Sequence, residues 1–145
     1  MTILVAIEAK GDETNLAAVA ADLAETYGVD LIALHVLPTG EFLEKQQDVN
    51  AIDEVEAKPI QRHERNAAET ARSVVEDAVE GVDVRGEGRI GDPEDEIVAA
   101  ADEFDATYVV IGGRRRSPIG KAVFGSTAQA VLLNADRPVV TVLTG

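Results

Sequence analysis

The sequence predicts an α/β fold: a single domain, residues 1–145, with an open doubly wound five-stranded parallel sheet and helices on both faces. Short apolar runs alternate with longer segments of helical periodicity along all 145 residues. Hydrophobic residues make up 46% of the chain and aromatics only 3%, so Val, Ile, Leu and Ala must build the core. Such a core is typical of a buried parallel sheet. Strands joined through helices pair in parallel by right-handed crossovers, which favours helices on both faces.

The first half of the chain predicts two buried strands and a helix. Apolar runs at residues 2–7 and 31–37 have the length and composition of strands. Helical spacing spans residues 13–27, and Gly28 ends it. The stretch 39–50 has no periodicity, which predicts a loop.

The middle of the chain predicts a long helix, an edge strand and a capped helix. Helical spacing extends over residues 53–79, with a regular helix from about Lys58, because Pro59 is tolerated only in a first turn. Residues 82–88 alternate apolar and polar, as in an exposed edge strand. Asp92 is the predicted N-cap of a helix at residues 93–104. The long helix has an apolar stripe of Ile60, Ala67, Ala71, Val74, Val75 and Ala78.

The last third predicts a strand at residues 106–111, a helix at 126–134 and a final strand at 139–143. Ser126 and Gln129 have the spacing of a capping box at the start of that helix. In open sheets of this kind, ligands bind outside the carboxyl ends of the strands, where the strand order reverses. The segments expected there are 8–13, 37–40 and 112–126.

A cationic, glycine-rich segment falls within that predicted edge. Four of the 13 Lys and Arg residues lie between Arg114 and Lys121, directly after Gly112 and Gly113. A strand followed by glycines, cations and a helix N-terminus is typical of phosphate binding. The alternatives are a solvated loop for the arginines, a tight turn for the glycines and simple helix capping for Ser126.

Composition disfavours several other functions. The net charge of -14 and the pI near 4.4 disfavour binding to nucleic acid or to anionic membranes. The chain has no Cys, and the spacing of His35 and His63 makes no metal-ligand pattern, so no metal site is predicted. No nucleophile–base set is recognisable, so no catalytic residue is assigned, and slow ATP hydrolysis is the most that we expect.

We predict a hydrogen-bonded core position for His35 and an exposed one for His63. Without a signal peptide or a spanning apolar run, a cytoplasmic location is expected.

The order and spacing of several short motifs resemble the universal stress protein family over essentially the whole chain. The resemblance implies an adenine nucleotide alpha-hydrolase-like fold, and in ATP-binding members the pattern Gly-x2-Gly-x9-Gly-Ser/Thr. Here that pattern reads Gly112-x2-Arg115-x9-Gly125-Ser126, with Arg115 in place of the middle glycine. The motifs that carry the resemblance are Ile3-Leu4-Val5-Ala6-Ile7, Leu34-His35-Val36, Gly91-Asp92-Pro93, Tyr108-Val109-Val110-Ile111-Gly112, Gly125-Ser126 and Arg137-Pro138-Val139-Val140.

The resemblance further implies a ligand, a partner and a role. The family's adenine-reading Asp at the end of strand one corresponds to Glu8, and its backbone contact to adenine corresponds to Val36. The implied ligand is ATP, with Mg2+, and the implied role is that of a stress-response sensor or switch. A nucleotide-free interaction or scaffold protein of the same fold is the alternative. The candidate nucleotide-binding residues are Ala6, Ile7, Glu8, Val36, Gly112, Gly113, Arg114, Arg115, Arg116, Gly125, Ser126 and Thr127. The implied homodimer forms through the last strand, at Val139, Val140, Thr141, Val142 and Leu143.

The excess of acidic residues resembles that of haloarchaeal proteins and predicts a salt-dependent fold. The 27 Asp and Glu residues are spread along the chain without a long acidic block. At about 1 M salt the Debye length shrinks to roughly 3 Å, which screens self-repulsion. We therefore expect the melting temperature to rise from dilute buffer to molar KCl, as measured by circular dichroism. An unchanged melting temperature would contradict a halophilic adaptation.

Overall fold

The fold is a parallel sheet between two helical layers. The computed structural model describes residues 1–48, 59–115 and 122–144. The strands are β1 (Thr2–Ala6), β2 (Asp30–Pro38), β3 (Val84–Gly91), β4 (Ala106–Arg115), β5 (Ala122–Val123) and β6 (Val139–Thr144). Five of them pair in parallel in the order β3-β2-β1-β4-β6, and the two-residue β5 pairs antiparallel with the end of β4. The predicted five-stranded parallel sheet is confirmed.

Helices cover both faces of the sheet, as predicted. They are α1 (Thr14–Tyr27), α2 (Thr39–Asp48), α3 (Pro59–Ala78), α4 (Pro93–Glu103) and α5 (Ser126–Asn134). Residues of α1 and α3 share one buried cluster with Ile3 and Val5 of β1, and residues of α4 and α5 share the other with Leu4 and Ala6. Because strand side chains alternate between faces, β1 contributes to both cores.

Two helix ends form as the sequence predicts. Gly28 follows α1 in the left-handed conformation, with φ of 64°, and its N–H donates to the carbonyl oxygens of Ala24 and Glu25. A glycine adopts this conformation without steric cost. At the start of α4, the Asp92 carboxylate accepts from the N–H of Glu94 at 3.2 Å.

The strand β4 is longer than predicted. Gly112 and Gly113 continue it, paired with Val142 and Leu143 of β6, so the predicted loop at these glycines is wrong, and the alternative of a tight turn is excluded. A neighbouring strand satisfies their backbone groups, which favours extension of the ladder over a turn. Arg114 and Arg115 also lie in β4 and pair with β5. Arg116 and Lys121 lie outside the described residues.

The predicted loop at residues 39–50 is wrong over the part that the structure describes, where α2 forms. Phe42 of α2 is 8% exposed, and its ring meets the ring of His63 edge-on at a centroid distance of 5.3 Å. This tertiary contact stabilises a helix that has little apolar periodicity of its own. The same contact buries His63, so its predicted exposure is wrong as well.

The long helix follows its predicted stripe, although not at every position. Ala67, Ala71 and Val75 are buried, whereas Ile60 is 53% exposed. The predicted beginning of this helix, at residues 53–58, lies outside the described residues.

The predicted capping box at Ser126 is also wrong. The helix α5 begins one residue earlier than a Ser126 cap requires, so Gly125 is the N-cap and Ser126 is the first helical residue. Gly125 has extended backbone angles, and the N–H of Gln129 donates to its carbonyl oxygen at 3.0 Å. The Ser126 side chain therefore makes no capping bond.

The packing of α3 on β3 depends on two glycines. An ideal Cβ at Gly86 would lie 2.1 Å from the carbonyl oxygen of Ala68, and one at Gly88 would lie 1.9 Å from that of Glu64. Both distances are far inside van der Waals contact, and the clashing atoms are backbone. Only glycine permits this close approach of helix and strand.

We expect Gly88→Ala to destabilise the fold, because α3 must move away from β3 to admit the methyl group. The expected loss in the free energy of unfolding is roughly 3 kcal/mol, measured by urea denaturation. Gly40→Ala is the matched control, because nothing lies within 4 Å of a Cβ there. Its stability should stay the same or rise by up to about 1 kcal/mol. Equal stabilities of the two variants would contradict the close packing.

Candidate functional site

A pocket of about 210 Å3 opens at the carboxyl ends of β1, β2 and β4. These strands flank the place where the sheet order reverses, which is where ligands bind in open α/β sheets. We call it the switch-point pocket. Its lining consists of Ala6, Ile7, Glu8, Lys10, Leu34, His35, Val36, Pro38, Glu41, Pro93, Ile97, Ile111, Gly112, Thr127, Ala128 and Val131.

The inner part of the pocket is apolar. Ala6, Val36 and Ile111 come from the C-terminal halves of the adjacent strands β1, β2 and β4, and all three side chains are buried. Ile97 of α4 and Val131 of α5 complete this wall and belong to the same buried cluster. The arrangement provides a dry surface against which a flat, weakly polar group can pack.

The outer part of the pocket carries charge. Glu8 and Lys10 follow β1, and Glu41 extends from the first turn of α2. Two carboxylates and one ammonium group therefore face the entrance on the β1–β2 side. A ligand group that donates hydrogen bonds suits this side better than an anionic one.

The loop after β1 is held by a side chain that the sequence reasoning missed. The Glu13 carboxylate accepts from the N–H groups of Glu8 and Ala9, at 2.9 and 2.7 Å. Ala9 has a φ of 60°, an uncommon conformation for a residue with a Cβ. Burial raises the pKa of Glu13, and the Glu8 carboxylate adds to the rise, while the two N–H groups oppose it. Glu13 thus fixes the loop that carries Glu8 and Lys10.

His35 joins the ends of β1 and β2. Its Nδ1 donates to the carbonyl oxygen of Ile7 at 2.7 Å, and the N–H of Ile7 donates to the carbonyl oxygen of Leu34 at 2.8 Å. The predicted hydrogen bond of His35 is confirmed, although the residue is half-buried at the pocket wall and not in the core. The bond also fixes the tautomer, because a carbonyl oxygen can only accept.

Helix α5 differs from α1 and α4 at its N-terminus. In α1 the Asp12 carboxylate, one position before the N-cap Glu13, accepts from the N–H of Thr14 at 3.0 Å, and in α4 the N-cap Asp92 accepts from the N–H of Glu94. Gly125, the N-cap of α5, has no side chain with which to cap. The first turn of α5 reaches the pocket through Thr127.

Half of the candidate binding residues line the pocket. The residues that the structure brings together there are Ala6, Ile7, Glu8, Val36, Gly112 and Thr127. Gly113 is buried beneath Leu143 and Phe124, while Gly125 and Ser126 are exposed at the start of α5. Arg114 and Arg115 lie in β4, and Arg116 is outside the described residues.

The missed lining residues come mainly from helices. Glu41 lies in the segment predicted as a loop, and Ile97 and Val131 were not among the candidate binding residues. The first turns of helices that follow β3 and β4 face the same edge as the strand ends, and this rule could have indicated Pro93 and Ala128.

The described residues contain neither a metal-binding group nor a helix that could span a membrane. In residues 1–48, 59–115 and 122–144, no cluster of three His, Cys, Asp or Glu side chains could hold a metal ion. Among the helices of those same ranges, none has the length and apolar character needed to cross a membrane.

Comparison with known proteins identifies the family. The profile of the universal stress protein family matches residues 1–142. The chain belongs to the universal stress protein family. A universal stress protein of Mycolicibacterium smegmatis is 45% identical over 51 residues, which are 35% of this chain and 39% of that protein.

Two solved members of the family from Archaeoglobus fulgidus share the fold. The structure of a universal stress protein is 34% identical, covers 97% of both chains and superposes with a TM-score of 0.65. A universal stress protein in complex with dAMP is 29% identical, with 97% of this chain and 96% of that chain covered and a TM-score of 0.60. The family resemblance and the fold that it implies are thereby confirmed.

One wall of the pocket depends on the buried His63. Its contact with Phe42 holds α2, which carries Glu41. The His63 Nε2 is buried and has no hydrogen-bond partner in the described part of the chain. Burial lowers the pKa of His63, and the cations of Arg62 and Lys45 lower it further.

We expect the stability conferred by a neutral His63 to be lost in acid. The unfolded chain takes up the proton near pH 6.5, before the folded chain does, so this stability is complete above that pH and falls below it. The free energy of unfolding of the wild type should therefore drop more steeply from about pH 7 to about pH 5 than that of His63→Gln. Above about pH 7.5 the two proteins should show parallel profiles. Parallel profiles throughout would contradict the lowered pKa.

Proposed function

We propose that this universal stress protein binds an adenine nucleotide, ATP or a close relative, in the switch-point pocket. In this proposal it acts in the cytoplasm as a homodimeric stress-response sensor. The observation that carries the proposal is the pocket itself, an apolar cleft at the carboxyl ends of β1, β2 and β4 with charged groups only at its entrance.

The size of the pocket favours the base of a nucleotide as the enclosed group. Its volume of about 210 Å3 is below the range of roughly 300–1,000 Å3 typical of pockets that enclose a drug-sized ligand. The base would pack against Ala6, Val36 and Ile111, and Glu8 would accept a hydrogen bond from its exocyclic amine. The sugar and phosphates would then lie outside this cleft.

The N-terminus of α5 is the proposed contact for the phosphates. Its N-cap Gly125 leaves the first turn without a capping side chain, and the helix dipole favours an anion there. Glu8 and Glu41 lie on the other side of the entrance and would repel an uncompensated triphosphate. Mg2+ on the phosphates would reduce this repulsion, so we expect it to assist ATP binding more than binding of a monophosphate.

The complex of the Archaeoglobus fulgidus relative with dAMP supports a nucleotide at this fold. At 29% identity over 97% of this chain, the relative is close enough for its ligand class to be tested here. That ligand supports an adenine nucleotide as the ligand class for this chain. The number of phosphates on the ligand of this chain is a question for the binding experiment below.

The edge strand β6 supports the proposed homodimer. It pairs with β4 on one side, and its half-buried residues Val140, Thr141 and Leu143 border the open side. An apolar strand edge tends to be covered by another strand. Pairing with the same strand of a second copy would satisfy its backbone groups.

A nucleotide-free interaction protein of the same fold is the second candidate. Two departures from the family's binding pattern favour it, namely Glu8 at the adenine-reading position and Arg115 at the middle glycine. The carboxylates of Glu8 and Glu41 at the entrance also disfavour an anionic ligand. A protein of this class would use its surface rather than the pocket.

The first test is to purify the protein in molar KCl with Mg2+, denature it and identify any released small molecule by mass spectrometry. Isothermal titration with ATP and with dAMP would follow, on protein stripped of ligand. A near-stoichiometric adenine nucleotide, or saturable binding at up to millimolar ligand, is the expected result. A folded protein that releases nothing and binds neither ligand would establish the second candidate.

A pocket-filling variant tests the location of the site. Ala128→Leu adds three carbons inside the pocket on α5, and we expect the affinity for nucleotide to fall at least about tenfold, or by 1.4 kcal/mol. Gln129→Leu is the matched control, because this neighbour is exposed and outside the lining. Its affinity should equal that of the wild type. Equal affinities of all three proteins would place the nucleotide elsewhere.

A further inference from the structure

The only two tyrosines of the chain are in contact with each other. Tyr27 ends α1 and Tyr108 lies near the start of β4, 81 positions further along the sequence. Their hydroxyl oxygens are 3.2 Å apart, within hydrogen-bond distance, and their ring centroids are 5.5 Å apart at an interplanar angle of 48°. This contact lies outside the switch-point pocket, because neither tyrosine belongs to the lining of the pocket.

The composition makes these two rings the main oxidisable groups of the chain. The sequence has no Cys, no Trp and one Met, which is Met1. Cysteine and methionine side chains ordinarily react first with oxidants, and here only the terminal methionine could do so. Tyr27 is 51% exposed, so a dissolved oxidant can reach the pair.

We propose that Tyr27 and Tyr108 form a site of one-electron oxidation at which the two rings couple to an intramolecular dityrosine. Each phenol gives one electron to the oxidant and one proton to solvent, which leaves two phenoxyl radicals. The radicals join by a bond between ring carbons ortho to the oxygens, and the two ring hydrogens then move to restore both phenols. The product has two hydrogen atoms fewer than the parent chain, and the oxidant gains two electrons.

The fold holds both rings in place for this coupling. Tyr108 is anchored by β4, where it pairs with Ile3 of the central strand β1. Tyr27 lies in the last turn of α1, directly before Gly28, whose N–H donates to carbonyl oxygens of that turn. The hydrogen bond to Tyr108 raises the pKa of Tyr27, so the Tyr27 phenol stays protonated at neutral pH. Fixed neighbours react at a high effective concentration, which favours coupling within one chain over coupling between chains.

The cross-link would close a large covalent loop from α1 to β4. Covalent closure of a long loop stabilises a fold mainly by restricting the unfolded chain. For a domain of this size we expect the melting temperature of the oxidised protein to rise by roughly 5–15 °C. The proposed nucleotide site is separate, so this expectation holds whether or not the chain binds nucleotide.

The test uses photoactivated ruthenium(II) trisbipyridyl with persulfate as the oxidant. Each persulfate ion takes up two electrons and gives two sulfate ions. Oxidised protein would be digested and searched by mass spectrometry for Tyr27 joined to Tyr108 with the loss of two hydrogens. Oxidation of Met1 adds oxygen and is therefore distinguishable. We expect this cross-linked peptide in monomeric chains, at a yield about tenfold above that in urea-unfolded protein.

Matched variants show whether the cross-link depends on the contact between Tyr27 and Tyr108 or only on the presence of two tyrosines. Tyr27→Phe should abolish the product. The double variant Tyr27→Phe, Leu133→Tyr keeps two tyrosines and places the new one at a site 81% exposed on α5, across the sheet from Tyr108. It should form no intramolecular dityrosine. A yield equal to that of the wild type in this variant or in urea, or chiefly intermolecular cross-links in the wild type, would overturn the proposal.

Discussion

The burial of β1 on both faces is the constraint on which the rest of the molecule depends. Ile3 and Val5 have no exposed surface on one face, and Leu4 has none on the other. A strand covered twice must have neighbours on both edges, so β2 and β4 pair with it in parallel. From β1 the chain continues to β2 and β3 on one side of the sheet, and from β4 it continues to β6 on the other side. The crossover connections therefore diverge between β1 and β4. The cleft left between the diverging connections is the switch-point pocket.

The sequence was sufficient for features that depend on local chemistry. Apolar runs identify β1 and β2, and Gly28 and Asp92 mark helix ends by their own conformational and hydrogen-bonding preferences. It was insufficient where a distant residue decides the outcome. The helix α2 exists because Phe42 is buried against His63, and neither residue alone predicts that contact. Likewise β4 continues through its glycines because β6 lies alongside, which only the assembled sheet determines.

The same division explains how much of the candidate site could be predicted. Lys10 and Pro38 lie in segments expected at the pocket because parallel strands must end at a common edge, whereas Val36 was indicated by the family resemblance. Ile97 and Val131 were missed because their contribution depends on how α4 and α5 lie across the sheet. Helical periodicity identifies the buried face of a helix, but it does not show which residues of that face lie at the pocket. The glycine-rich motif indicated a strand that contributes to the pocket, while the part of it predicted to bind phosphate falls largely in or beside residues 116–121, outside the described chain.

The charges around the switch-point pocket favour one orientation of a bound ligand. The chain's own carboxylates occupy N–H groups at the β1 side: Glu13 holds the loop after β1, and Asp12 accepts from the N–H of Thr14, the first residue of α1. On that side of the entrance Glu8 and Glu41 outnumber the single cation Lys10, and the N–H groups that could bind an anion already donate to carboxylates. This side therefore suits a ligand group that donates hydrogen bonds. At the opposite side, Gly125 leaves the positive end of the α5 dipole without a carboxylate. A ligand with an amine-bearing base at one end and an anion at the other would therefore bind in one orientation, with its base toward β1 and β2 and its anion toward α5. The acidity that disfavours nucleic acid as a partner on composition alone thus becomes, at this site, the feature that would orient a nucleotide.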